Sequence, residues 1–295
     1  MKTPAALAAL AIALLAGCSG KTPEGAAPAI AFAPWDKAYA SKPDFAQVDH
    51  QLPIATVELA KVTPDWLAGL DQEQLDQLYA RLSAGPIPDG AFDGRILLPR
   101  GGSGKFRAAE IVGGFGGLAL HLKGLALEEV GESLWRGKVF YRNERILRNR
   151  IEDLAVLKQA GLVKGEPAKM DFEGKQTWLL FPAKLYCGQS LLDARRESIV
   201  IDYFFTDEIP GYQEEPDFLA GRRGLRVRDE IRMVRPGLYL GRAYLDKVFA
   251  LNFVLHNKAM DDAGREAFVK TGQVQEDCWP GTQPRKLLAD RKSVV

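Results

Sequence analysis

Residues 226–245 read Arg-Val-Arg-Asp-Glu-Ile-Arg-Met-Val-Arg-Pro-Gly-Leu-Tyr-Leu-Gly-Arg-Ala-Tyr-Leu. This stretch spells two strands joined at Arg235-Pro236-Gly237-Leu238, because Pro presets the first turn position and Gly tolerates positive φ at the second. A tight hairpin sets Val234 against Tyr239, Ile231 against Arg242 and Asp229 against Tyr244. Strand alternation then gathers Val227, Ile231, Met233, Leu238 and Leu240 on one face, together with Asp229, Arg242 and Tyr244. Arg226, Arg228, Glu230 and Arg232 point the other way. A Pro-Gly turn matches strand twist poorly, and a bulge there shifts the cross-strand partners by one. An acid and a base among apolar side chains suggest either a structural ion pair or the polar groups of a pocket.

Working outward, the chain after residue 174 is strongly β in character, with runs at 176–181, 183–186, 198–205 and 249–256. In the run 198–205 both faces are apolar except for Asp202, a second acid in an apolar setting. Earlier strands are expected at 91–98, where Gly94 marks a bend, and at 134–141, with Trp135, Val139 and Tyr141 on one face. Residues 145–152 fit a returning strand or a helix equally. Ile54–Leu59 also reads as β. Thr63-Pro64-Asp65 opens a helix that Asp71 restarts, giving an apolar helical part over about 63–84. The segment 207–224 is a long loop of the size that gates sites. Residues 261–270 form a short helix.

The N-terminus carries an address. Met1-Lys2 is positive, residues 4–16 are apolar, and Leu15-Ala16-Gly17-Cys18 follows. A charged start, a short apolar core and small residues at the cut describe a secretory signal peptide over 1–17. The last four residues resemble the lipobox of bacterial lipoproteins. That resemblance implies that Cys18 is lipidated, that the membrane is a partner through the acyl anchor, and that Ser19 directs the protein to the outer membrane, facing the periplasm. Residues 18–34 then read as the lipidated Cys and a small-residue, Pro-rich tether. Residues 35–295 read as one globular domain with its β core at about 88–256. In an oxidising compartment Cys187 and Cys278 are either a disulfide closing a long loop or two separate buried thiols.

A net charge of +1 excludes a nucleic-acid surface. The three histidines, 50, 121 and 256, lack metal-ligand spacing. The Gly-rich residues near Lys105 miss the phosphate-loop pattern, and Gly114–Ala119 fits a relaxed dinucleotide fingerprint in a chain without the βαβ unit it needs, so no cofactor is expected. The expected class is α+β and mainly antiparallel, a barrel or curved sheet with flanking helices. The meandering strands over 88–256, with a Gly-bearing strand in front and a Trp-x-Gly-Lys strand after it, resemble lipocalin-like barrels. That resemblance implies a small apolar ligand, with Asp229, Arg242, Tyr244 and Asp202 as its polar contacts. Two other functions fit the same residues. One is a structural or assembly lipoprotein acting through its surface. The other is a periplasmic hydrolase or isomerase, with Asp229 or Asp202 as general base and Arg242 stabilising an anion.

Overall fold

The computed structural model describes residues 25–35, 43–100, 135–159, 161 and 163–283. The signal peptide, Cys18, Lys105, residues 114–119, His121 and the tail beyond 283 lie outside these residues.

Nine strands occur in order: β1 Gly90–Leu97, β2 Trp135–Tyr141, β3 Ile146–Ile151, β4 Met170–Phe172, β5 Lys175–Gln189, β6 Glu197–Asp202, β7 Val227–Arg235, β8 Leu238–Leu245 and β9 Val248–His256. Every pairing is antiparallel. β1 closes on β9 and β3 closes on β5, leaving β4 as an extra strand on the start of β5. The result is a closed eight-stranded up-and-down barrel of lipocalin-like architecture, which leaves no free edge among its eight strands. The two β runs at 176–181 and 183–186 are one strand, bent where Phe181 takes a positive φ of 51° ahead of Pro182. Within 145–152, Ile146–Ile151 form a strand paired on both sides.

Helices α1 Phe45–Gln51, α2 Thr56–Leu59, α3 Pro64–Gly69 and α4 Gln72–Arg81 precede the barrel; α5 Ala155–Gln159 sits between β3 and β4, and α6 Lys258–Thr271 follows β9. The residues read as strand at 54–59 are thus partly helix, because α2 packs Leu59 into the apolar clusters instead of pairing with a neighbour. Thr63 and Asp71 cap α3 and α4 through their side chains, and Asp71 with Gln74 completes a capping box. α4 lays Leu75, Leu78, Tyr79 and Leu82 on the outside of the barrel against Val234, Leu238, Leu240 and Val254. The inner core is a separate cluster that includes Phe92, Phe140, Ile231, Met233 and Tyr239.

Part of the expected tether is held in place. Ala33 exchanges bonds with the Gln77 side chain, Phe32 stacks on Trp66 with centroids 6.5 Å apart, and Arg81 donates to the carbonyl of Ala31. Cys187 and Cys278 are joined as a disulfide, with Cα atoms 5.4 Å apart across a 91-residue separation.

The organising hairpin has the expected Pro-Gly turn, with Gly237 at φ 76° and Arg235 paired with Leu238. A bulge between Met233 and Arg235 shifts the register, so Glu230 pairs with Arg242, Asp229 with Ala243 and Arg228 with Tyr244. A one-residue shift sends a whole strand's side chains to the other face relative to its partner. Asp229, Ile231 and Met233 therefore look into the barrel with Tyr239, Gly241 and Ala243. Leu238, Leu240, Arg242 and Tyr244 lie outside, and the expected shared face of Asp229 with Arg242 and Tyr244 does not form.

Candidate functional site

Strand β2 builds the site through a second bulge, between Trp135 and Gly137. Gly137 has φ 129°, a conformation that side chains rarely adopt. The extra residue resets the alternation, so Trp135, Lys138 and Phe140 face inward, whereas strict alternation from Trp135 would turn Lys138 out. Trp135 lies across β1 at Gly94, where a Cβ would come within 2.4 Å of the indole ring. The glycine is needed for that close approach rather than for a bend alone.

Lys138 is 3 % exposed. Its Nζ donates to Asp229 Oδ2 at 2.9 Å, to Asn149 Oδ1 at 2.8 Å and to the Tyr203 hydroxyl at 2.6 Å. Tyr203 lies 3.2 Å from the same Asp229 oxygen, and Asn149 Nδ2 donates to Tyr203 at 3.1 Å and to the Phe181 carbonyl at 3.0 Å. Trp135 Nε1 donates to Asn149 Oδ1 at 2.9 Å. The ammonium also sits 5.3–5.4 Å from the ring centroids of Trp135, Tyr203 and Phe253, within cation–π reach. Burial lowers the pKa of Lys138 and Asp229 opposes it. Burial, followed by the Asp229 charge, holds the Tyr203 phenol well above its ordinary value.

This cluster forms part of the wall of a pocket of about 330 Å³, open to the outside, at the end of the barrel where β1 ends and β2 begins. The other walls include Ile96, Ile151, Val227, Leu251 and Phe253, and the β6–β7 connection contributes Leu219, Ala220 and Leu225. Phe181 enters from β5, its amide donating to Asp217 at 2.6 Å. Burial raises the Asp217 carboxyl above its ordinary range, against the pull of the Gln213 and Phe181 amides. The long loop read as a gate therefore supplies one wall of the cavity. The opposite end of the barrel is filled: Phe92 meets Phe140 and Tyr239 edge-on, and the Tyr239 hydroxyl donates to the Pro86 carbonyl at 2.6 Å.

Of the four polar residues expected at a ligand, Asp229 alone lines this cavity. Arg242 lies on the outer face, bonded to Asp76 of α4, to Tyr244 at 2.9 Å and to Asn252 at 3.3 Å. Burial works against its charge, but Asp76 and Tyr244 outweigh that and raise its pKa. This network gives α4 a polar as well as an apolar contact with the barrel, beyond the core packing its leucines announce. Asp202 is also outside, accepting from the Tyr186 hydroxyl at 2.7 Å and the Phe204 amide at 2.9 Å. Burial and then the bond to Asp202 push the Tyr186 phenol up to about 12. The pairing of Asp229 as base with Arg242 as anion stabiliser is excluded, because the sheet lies between them.

Lys138, Asn149 and Tyr203 escaped the sequence reading. Gly137 was their one local signal, as a glycine inside a strand marks a bulge. Among the described residues, Cys187, Glu197 and Cys278 bring metal-donor atoms together, and the disulfide occupies both sulfurs. No helix among them is long and apolar enough to cross a membrane. No family model, no curated protein and no solved structure matches this chain.

Proposed function

We propose that this chain is an acyl-anchored lipoprotein of the bacterial cell envelope, set in the outer membrane and facing the periplasm, whose barrel holds a small apolar molecule. The anchor rests on Leu15-Ala16-Gly17-Cys18. The binding role rests on one observation: the barrel carries at one end an open pocket of about 330 Å³ whose described walls are apolar side chains around one polar cluster. A mostly apolar pocket with a few convergent polar groups is the usual form of a small-molecule site. At about 30 Å³ per non-hydrogen atom, the share a water takes in the liquid, the cavity takes about eleven such atoms.

Native mass spectrometry on the mature chain, residues 18–295 with Cys18→Ser to remove the acyl group, tests this reading. The protein is made in the periplasm and purified without detergent. A bound mass that leaves on denaturation is the expected result. A uniformly ligand-free mass that also takes up no apolar probe counts against it, and favours a protein that works through its surface.

A further inference from the structure

The cluster in the cavity has its own selectivity, and it depends on which hydrogen-bonding atoms are already used. A lysine ammonium has three protons. Those of Lys138 go to Asp229 Oδ2, Asn149 Oδ1 and the Tyr203 oxygen. The indole proton of Trp135 goes to Asn149. The amide of Asn149 goes to the Phe181 carbonyl and to Tyr203, and the Tyr203 hydroxyl has Asp229 Oδ2 in reach at 3.2 Å. The cluster has no donor left over. One strong acceptor remains: Asp229 lines the cavity, and no described residue donates to its Oδ1.

Charge narrows the choice further. Lys138 and Asp229 neutralise each other at 2.9 Å, so the described residues that line the pocket include no uncompensated cation. A carboxylate head would enter an apolar space beside Asp229 without a partner, and an ammonium head would leave one positive charge in excess; both states are costly. A neutral donor meets neither cost and satisfies Oδ1. Resting on the proposed binding role, we infer that the cavity selects an apolar molecule with a neutral hydroxyl head, donating to Asp229 Oδ1, over the carboxylic acid of the same chain length.

Decan-1-ol and decanoate have the size for the cavity and differ in the head. Both are titrated by calorimetry into the mature Cys18→Ser chain at pH 7.5, the alcohol below its aqueous solubility and the acid below its micelle concentration. Binding of the alcohol about tenfold or more tighter is the expected result, the scale of one hydrogen bond to a charged group. Equal affinity, or tighter binding of the acid, overturns the head-group assignment and leaves the cavity's binding role standing. Failure of both to bind overturns the assignment together with the binding role. Asp229→Asn leaves the Lys138 ammonium uncompensated, so the preference should reverse toward decanoate. A folded Asp229→Asn protein that still prefers the alcohol as before overturns the assignment to Asp229. If that variant does not fold, the comparison on the unsubstituted cavity decides alone.

Discussion

At the scale of single residues, two buried ion pairs, Lys138–Asp229 and Arg242–Asp76, serve opposite sides of one sheet. Lys138 and Asp229 are 3 % and 4 % exposed, so removing one partner strands a charge in an apolar cavity. Lys138→Met should cost about 3–5 kcal/mol of unfolding free energy in urea titrations. Replacing both partners, as Lys138→Met with Asp229→Leu, should recover most of that loss or exceed the starting stability by about 1–4 kcal/mol. A double variant no more stable than the single one would show that the network, and not the lone charge, sets the cost. Arg242→Met should also be destabilising, since it takes a buried guanidinium from Asp76 and Tyr244. Its ligand content, read by native mass spectrometry, should match that of the starting protein, because Arg242 is outside the barrel. Loss of ligand at unchanged stability would contradict the register.

At the scale of elements, alternation, turn and caps were legible and the bulges were not. The strands β1, β2, β7, β8 and β9, the Pro-Gly turn and the Thr63 and Asp71 caps follow from local chemistry that each segment carries in itself, whereas β4 and the unbroken β5 were not read. Which side of the sheet a residue faces depends on counting from a fixed point, and one extra residue reverses the count. Val234 reversed it for Arg242 and Tyr244, and the Trp135–Gly137 bulge reversed it for Lys138. Asn149 was hidden because residues 145–152 are amphipathic at both periods, and only pairing with β2 and β5 decides between them. The close passage of Trp135 over Gly94 gives a test of the β1–β2 contact. Gly94→Ala places a methyl 2.4 Å from the indole, so it should lose about 1–3 kcal/mol and alter the near-ultraviolet circular dichroism. A change within experimental error would mean that the ring can move aside freely. The junction of β7 with α6 is set by Asp261, whose side chain is fully buried and bonded to Arg235, Arg265 and His256. Burial by itself would raise this carboxyl, but those three partners lower it well below the carboxylate range. The unfolded chain then binds the proton more readily, so the stabilisation is complete above the unfolded pKa of about 3.9 and is lost as pH falls below it. Asp261→Asn should flatten the rise of stability between about pH 1 and 4. An unchanged slope would assign that rise to other carboxylates.

At the scale of the whole molecule, the two ends of the barrel are built for different tasks. One end carries the cavity; the other is packed with aromatic rings and crossed by residues 274–279. There Val274 and Cys278 join the inner core, Glu276 takes bonds from Ser83 and the Gly85 amide, and Asp277 takes them from the Ile87 amide and Arg142. The disulfide from Cys278 to Cys187 fastens this crossing to β5. A loop of 91 residues closed by a cross-link removes denatured-state entropy worth about 4–5 kcal/mol in the chain-entropy account. The variant with Cys187→Ser and Cys278→Ser should therefore melt on the order of 10 °C lower. Its pocket lies at the other end of the barrel, so at room temperature it should keep its ligand and its preference between alcohol and acid. Thermal melts paired with calorimetry on the same sample separate the two effects. A lower melting temperature with intact binding is the expected pattern. Loss of binding in a variant that remains folded would mean that the packed end holds the cavity open through the length of the barrel.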